Sequence, residues 1–123
     1  MSEANAKILR NVEDYEAFYF CRNLGNFTGQ KANSLEEFLG KIQGIETESL
    51  EFHLSREDFE KWIKLAIGDV QLAESIGLLR EQKLDGNELR NRISIIVSKR
   101  LTELTSTSNN PKRKKQGKKK TKT

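Results

Sequence analysis

Ser55-Arg56-Glu57-Asp58-Phe59-Glu60-Lys61-Trp62-Ile63-Lys64-Leu65-Ala66-Ile67-Gly68-Asp69 is the stretch that decides the fold class. Phe59, Trp62, Ile63, Ala66 and Ile67 recur at spacings of three and four, which places them on one face of a helix. Ser55 followed three residues later by Asp58 approximates a capping box, with Asp in place of Glu or Gln. The spacing therefore predicts a helix that starts after Ser55 and stops at Gly68. Asp69 is placed to cap a further helix bearing Leu72, Ala73, Ile76 and Leu79.

The same grammar extends in both directions. Upstream, Ser34 and Glu37 form a capping-box pair, and Leu35, Phe38, Leu39 and Ile42 follow as a stripe. Gly40 weakens that helix and Gly44 ends it. Residues 46–54 (ETESLEFHL) fit both a strand and a helix pattern, and the reading favours a short helix. Downstream, Asp85-Gly86-Asn87-Glu88 breaks and restarts the chain. The last helix carries Leu89, Ile93, Ile96, Val97 and Leu104 on one side, with Arg90, Arg92, Lys99 and Arg100 expected on its exposed side as candidates to extend a nucleic-acid-binding basic surface.

Near the N-terminus the pattern changes. Residues 1–13 read as flexible, with a short helical turn around Ala6–Arg10. Residues 17–22 are aromatic and β-prone. They run into the turn chemistry of Asn23-Leu24-Gly25-Asn26, and Phe27-Thr28-Gly29 reads as a short return strand. A lone two-stranded ribbon is marginal, so this one must lie on helices. The expectation is one mainly α domain over residues 14–104, with four to five helices and a short N-terminal strand or hairpin.

Beyond residue 104 the periodicity ends. Residues 105–123 hold eight cations and no acid: Lys112, Arg113, Lys114, Lys115, Lys118, Lys119, Lys120 and Lys122. The chain is +4 in all, so the tail's +8 leaves −4 on residues 1–104. Such a tail has nothing to bury and is expected to be disordered when free. It points to a polyanion, RNA or DNA, bound through phosphates rather than base edges. Arg113 is its only arginine, so bidentate reading of bases is poorly provided for.

Chemistry-bearing residues are sparse. One Cys (Cys21) and one His (His53) match no zinc spacing, and a single Cys forms no internal disulfide. The glycines at 25, 29, 40 and 44 form neither a Walker loop nor a dinucleotide fingerprint. No catalytic residue, metal or cofactor is expected. His53, Phe52, Trp62 and Tyr19 are the candidates for a body site, with His53 at the core edge and Cys21 as a small buried hydrophobe. Glu46, Glu48, Glu51, Glu57, Asp58 and Glu60 read as a solvated acidic face, a docking face for a basic protein partner, or a resting place for the tail. No apolar run approaches the roughly 20 residues that span a bilayer, and MSEANAKILRN lacks the apolar region of a secretory signal. A cytoplasmic location without membrane partners is expected.

Several pieces in order also resemble a known family. They are Phe18-Tyr19-Phe20, Thr28-Gly29, Ala32-Asn33-Ser34-Leu35-Glu36-Glu37-Phe38, Ser49-Leu50-Glu51-Phe52-His53-Leu54, Asp58-Phe59-Glu60-Lys61-Trp62-Ile63 and Gly68-Asp69-Val70-Gln71-Leu72-Ala73. Together they resemble a small family of uncharacterised archaeal and bacterial domains over residues 15–80. The resemblance implies a fold and a prokaryotic source, carries no assigned function, and leaves the basic tail outside the pattern. Three functional expectations stand: a non-enzymatic nucleic-acid-associated protein, ribosomal or nucleoid, with RNA slightly favoured; a protein-interaction adaptor using the acidic and aromatic body; and a small-ligand or enzymatic domain centred on His53.

Overall fold

The computed structural model describes residues 2–106. Among them the chain forms six helices and one antiparallel hairpin. The elements are α1 (Glu3–Leu9), β1 (Phe18–Asn23), β2 (Asn26–Ala32), α2 (Leu35–Gly44), α3 (Thr47–Ser55), α4 (Asp58–Trp62), α5 (Val70–Leu78) and α6 (Gly86–Thr105). The mainly helical class and the hairpin agree with the sequence reading. The expected disorder of the tail falls on residues outside those described.

Three caps form as their side chains dictate. Ser34 accepts from the Glu37 N–H, Asp69 from the Leu72 N–H and Asp85 from the Glu88 N–H. Glu37 reaches back one residue further than a capping box requires, to the N–H of Asn33. Of residues 46–54, all but the extended Glu46 are helical, as favoured.

The deciding stretch is helical but starts differently. Ser55 is the last residue of α3, and its hydroxyl donates to the Phe52 carbonyl. Glu57 takes left-handed backbone, φ 66°, and α4 begins at Asp58. The carboxylate of Asp58 turns to His53 and Arg56, so no capping box forms. A buried imidazole offers it a better partner than an exposed helix amide. After Trp62 the chain widens into a π turn, Ile63–Ile67, which ends at Gly68 with φ 93°, a value that favours glycine.

The N-terminal segment is also more ordered than its composition suggests. Ser2 caps α1, and the Asn5 amide donates to the Leu104 carbonyl at 3.1 Å. The Arg10 guanidinium donates to the carbonyls of Ala66 and Ile67, satisfying the end of the π turn. Val12 is buried.

The inward face of the hairpin builds the core. Phe18 and Phe20 lie on Phe38 of α2 and on Phe59 and Trp62 of α4, with ring centroids 4.8–5.9 Å apart among the pairs Phe18–Phe20, Phe18–Phe38, Phe18–Phe59, Phe18–Trp62 and Phe20–Phe38. Below them Leu50, Ile63, Ile67, Leu72, Ile76, Leu89 and Ile93 fill an aliphatic layer. This layer is what a marginal ribbon needs in order to persist. Gly86 lets α6 approach α3: a Cβ there would stand 2.5 Å from the Cβ of Thr47.

Candidate functional site

His53 is the centre of the candidate body site. It lies on α3, 4 % exposed, ringed by Phe18, Phe20, Phe52 and Phe59 at 4.8–6.2 Å. Its Nε2 lies 2.8 Å from the backbone N of Cys21, and its Nδ1 lies 2.9 Å from Asp58 Oδ2. The Cys21 N–H can only donate, so Nε2 carries the lone pair and Nδ1 the proton. The ring is thereby fixed as the neutral Nδ1–H tautomer. Burial pushes its pKa below the ordinary histidine value, against the raising effect of the Asp58 hydrogen bond and charge.

Cys21 and His53 therefore do meet, but through the main chain. The Nε2 lone pair that would activate a thiol is already occupied by a backbone donor. Cys21 is half-buried rather than buried. This arrangement ties β1 to α3 and holds the imidazole neutral; it leaves neither ring nitrogen free for a substrate.

The other candidates divide. Phe52 is half-buried beside His53, with the Arg56 guanidinium over its ring. Trp62 joins the same aromatic cluster and donates from Nε1 to the Glu16 carbonyl. Tyr19, named with them as a body-site candidate, stands apart on the opposite face of the hairpin, 42 % exposed. The acidic face is only partly solvated: Asp58 serves His53, Glu60 receives a bidentate Arg80 at 2.7 Å, and Glu46 pairs with Arg22.

Two of the four cations of α6, Arg90 and Arg100, depart from the exposed side expected of them. Arg90 donates to the Ile42 carbonyl at 3.2 Å and to the Ile45 carbonyl, closing the end of α2. Arg100 grips Asp69 through Nε at 2.7 Å and through a second nitrogen at 3.2 Å, and Asp69 is 2 % exposed. Both are structural ties rather than free surface charge. Arg92 reaches Gln82, and Lys99 is exposed. Lys112, Arg113, Lys114, Lys115, Lys118, Lys119, Lys120 and Lys122 lie outside the described residues.

Sequence reading missed a surface along β2 and α2. Two adjoining open grooves share Gln30, Gly40 and Lys41. One, of about 480 Å³, is bounded by Arg22, Thr28 and Glu46. The other, of about 610 Å³, is bounded by Gly29, Lys31 and Glu37. The available signal was three cations, Arg22, Lys31 and Lys41, on segments that pair as neighbours. Among the described residues no group of His, Cys, Asp and Glu is placed to hold a metal, and no helix is long and apolar enough to cross a membrane.

Comparison with known proteins bears on the family alone. No curated protein and no solved structure matches this chain. Residues 3–98 match a family described as a family of unknown function, DUF5752. The match takes in the hairpin, the His53 cluster and most of α6, and stops short of the basic tail. On that coverage the chain belongs to DUF5752.

Proposed function

We propose that this protein is a non-enzymatic nucleic-acid-associated protein that holds phosphates through its lysine-rich C-terminal tail. The observation that carries the reading is the segregation of charge: +8 and no acid in residues 105–123, against −4 in residues 1–104. Lysine ammonium groups displace the counterions of a nucleic-acid backbone without reading its sequence. The engaged state of His53 supports the non-enzymatic part, since a general base needs a free lone pair within reach of substrate. RNA is favoured over DNA by analogy with lysine-rich extensions that thread through folded RNA in ribosomal proteins. A ribosome-associated or nucleoid accessory role in the cytoplasm follows.

The test compares the full chain with a full-length variant in which the seven tail lysines are Gln. Binding to a structured RNA and to duplex DNA is followed across a salt series. If six phosphates are neutralised, the log–log slope of the full chain is about −4 to −5. In the variant both affinity and slope collapse. Equal binding by the two proteins, or none by either near physiological salt, overturns the reading. The second case leaves the acidic and aromatic body as a protein-interaction module.

A further inference from the structure

The outer face of the hairpin carries aromatic surface that the core does not explain. Register sets Tyr19 opposite Lys31 and Cys21 opposite Phe27, so these four share the face turned away from Phe18 and Phe20. Tyr19 is 42 % exposed and Phe27 50 % exposed, and their rings meet edge to face with centroids 5.7 Å apart. The Tyr19 hydroxyl donates to the Asp14 carbonyl at 2.7 Å, which fixes that ring in place. Gly29 lies on β2 between Phe27 and Lys31, and a Cβ there would meet nothing within 4 Å. A bare patch is therefore left beside the two rings. Over the edge of β2, on the side of Gln30 and α2, lie the two open grooves, where Lys41 donates to Gln30 and Arg22 pairs with Glu46.

We propose that this face is a stacking platform for single-stranded nucleic acid. Bases lie on Tyr19 and Phe27, and the sugar–phosphate chain crosses β2 at Gly29, passing Lys31 and turning over the free edge of the strand toward Lys41. The proposal rests on the nucleic-acid reading of the tail and adds to it a contact made by the body. Half-exposed rings held next to cations are what sequence-tolerant single-strand binding uses, because every base has a π-face. A duplex hides those faces, so the strand must be single. Lys31 is held by Asp14 in an exposed ion pair, which a phosphate displaces at little cost.

Charge decides against a protein partner. The apolar surface is interrupted by Lys31 and by bare Gly29, whereas the centre of a protein interface is continuous and depleted in charge. Of the acids bordering the grooves, Glu46 is paired with Arg22, and Glu37 is turned back onto the Asn33 N–H. Reach is also sufficient. Seventeen residues beyond Ser106 span at most about 60 Å whatever their conformation, more than the roughly 35 Å breadth of a 100-residue domain. One strand can meet both tail and hairpin.

The experiment uses the full chain carrying Phe27→Trp, which places an indole on this face, and a 12-nucleotide oligouridylate. Stacking quenches the new emission on addition of the oligomer but not of inorganic polyphosphate, which engages cations without offering bases. In parallel, Tyr19→Ala with Phe27→Ala weakens oligouridylate binding about 10-fold or more while leaving the salt slope intact. It leaves affinity for a 12-base-pair RNA duplex unchanged, and a urea midpoint close to that of the unsubstituted chain reports that the doubly substituted body is folded. Unquenched emission from a Phe27→Trp chain that binds the oligomer overturns the platform and leaves the tail reading standing. Failure of the unsubstituted chain to bind either RNA overturns the tail reading itself. Emission that changes with protein concentration, and not with oligomer, assigns the face to a second copy of the chain and overturns the proposal.

Discussion

His53 Nε2 accepts a hydrogen bond from the backbone N–H of Cys21 at 2.8 Å, thirty-two residues away along the chain. This contact joins the hairpin to α3 and works only while the imidazole is neutral. A proton on Nε2 sets a donor against a donor.

Stability should therefore fall on the acid side of neutrality. The folded pKa of His53 lies below its ordinary value of 6.5. Between those two values the unfolded chain binds more protons than the folded one, so stability rises with pH across the window. The contribution of neutral His53 is complete above pH 6.5 and is lost as pH falls toward the folded value. His53 is the only histidine in the chain. Urea midpoints measured from pH 8 to pH 5 should decline in the wild type and flatten in His53→Gln.

Removing the ring altogether has a larger effect. His53→Ala leaves a cavity among four aromatic rings and strips the Cys21 N–H and Asp58 of their partner. The expected loss is about 3 kcal/mol, read by urea denaturation at pH 8. A loss below about 1 kcal/mol would show that the imidazole does not hold the hairpin to the helices.

Arg100 and Arg92 lie on the same helix and should behave differently. Arg100→Gln leaves Asp69 charged and 2 % exposed, at a cost of about 3 kcal/mol. Arg92→Gln touches only an exposed amide and should change stability by less than about 0.5 kcal/mol. Paired denaturant melts decide. Equal effects would refute the assignment of Arg100 as a tie between α6 and the start of α5.

Glu57 sits at φ 66° between α3 and α4, a backbone state that costs a residue with a Cβ about 1 kcal/mol. Glu57→Gly should be stabilising by a few tenths to about 1 kcal/mol, once the greater freedom of glycine in the unfolded chain is subtracted. The thermal midpoint should rise by a few degrees. Gly68→Ala, at φ 93°, should shift it the other way.

Most of the fold was legible because it is written in local signals. Ser34, Asp69 and Asp85 each find the amide three residues ahead, and the apolar stripes turn inward as spaced. What was not legible depends on partners distant in sequence. Asp58 reads as a capping residue until His53 is brought beside it by the reversal at Glu57. Arg90 and Arg100 read as exposed because a helical pattern records which face a side chain leaves, not how far its guanidinium bends back. Tyr19 reads as part of one site with His53 and Trp62, and period-two alternation separates it from them only once β1 is known to have one face covered. The segment before β1 is polar, yet Arg10 reaches the carbonyls that end the π turn.

The guanidinium ends of Arg10 and Arg90 each close more than one main-chain carbonyl, Arg80 takes the Leu54 carbonyl and the Glu60 carboxylate, and Arg100 closes on a buried carboxylate. The tail, by contrast, holds seven lysines and one arginine. The clasps that hold the fold are arginines, whereas seven of the tail's eight cations are amines that an acyl group can reach. Acetylation of amines discharges the tail residue by residue and leaves every arginine clasp in place. Affinity for a polyanion can be graded in this way without a change in the fold that presents it.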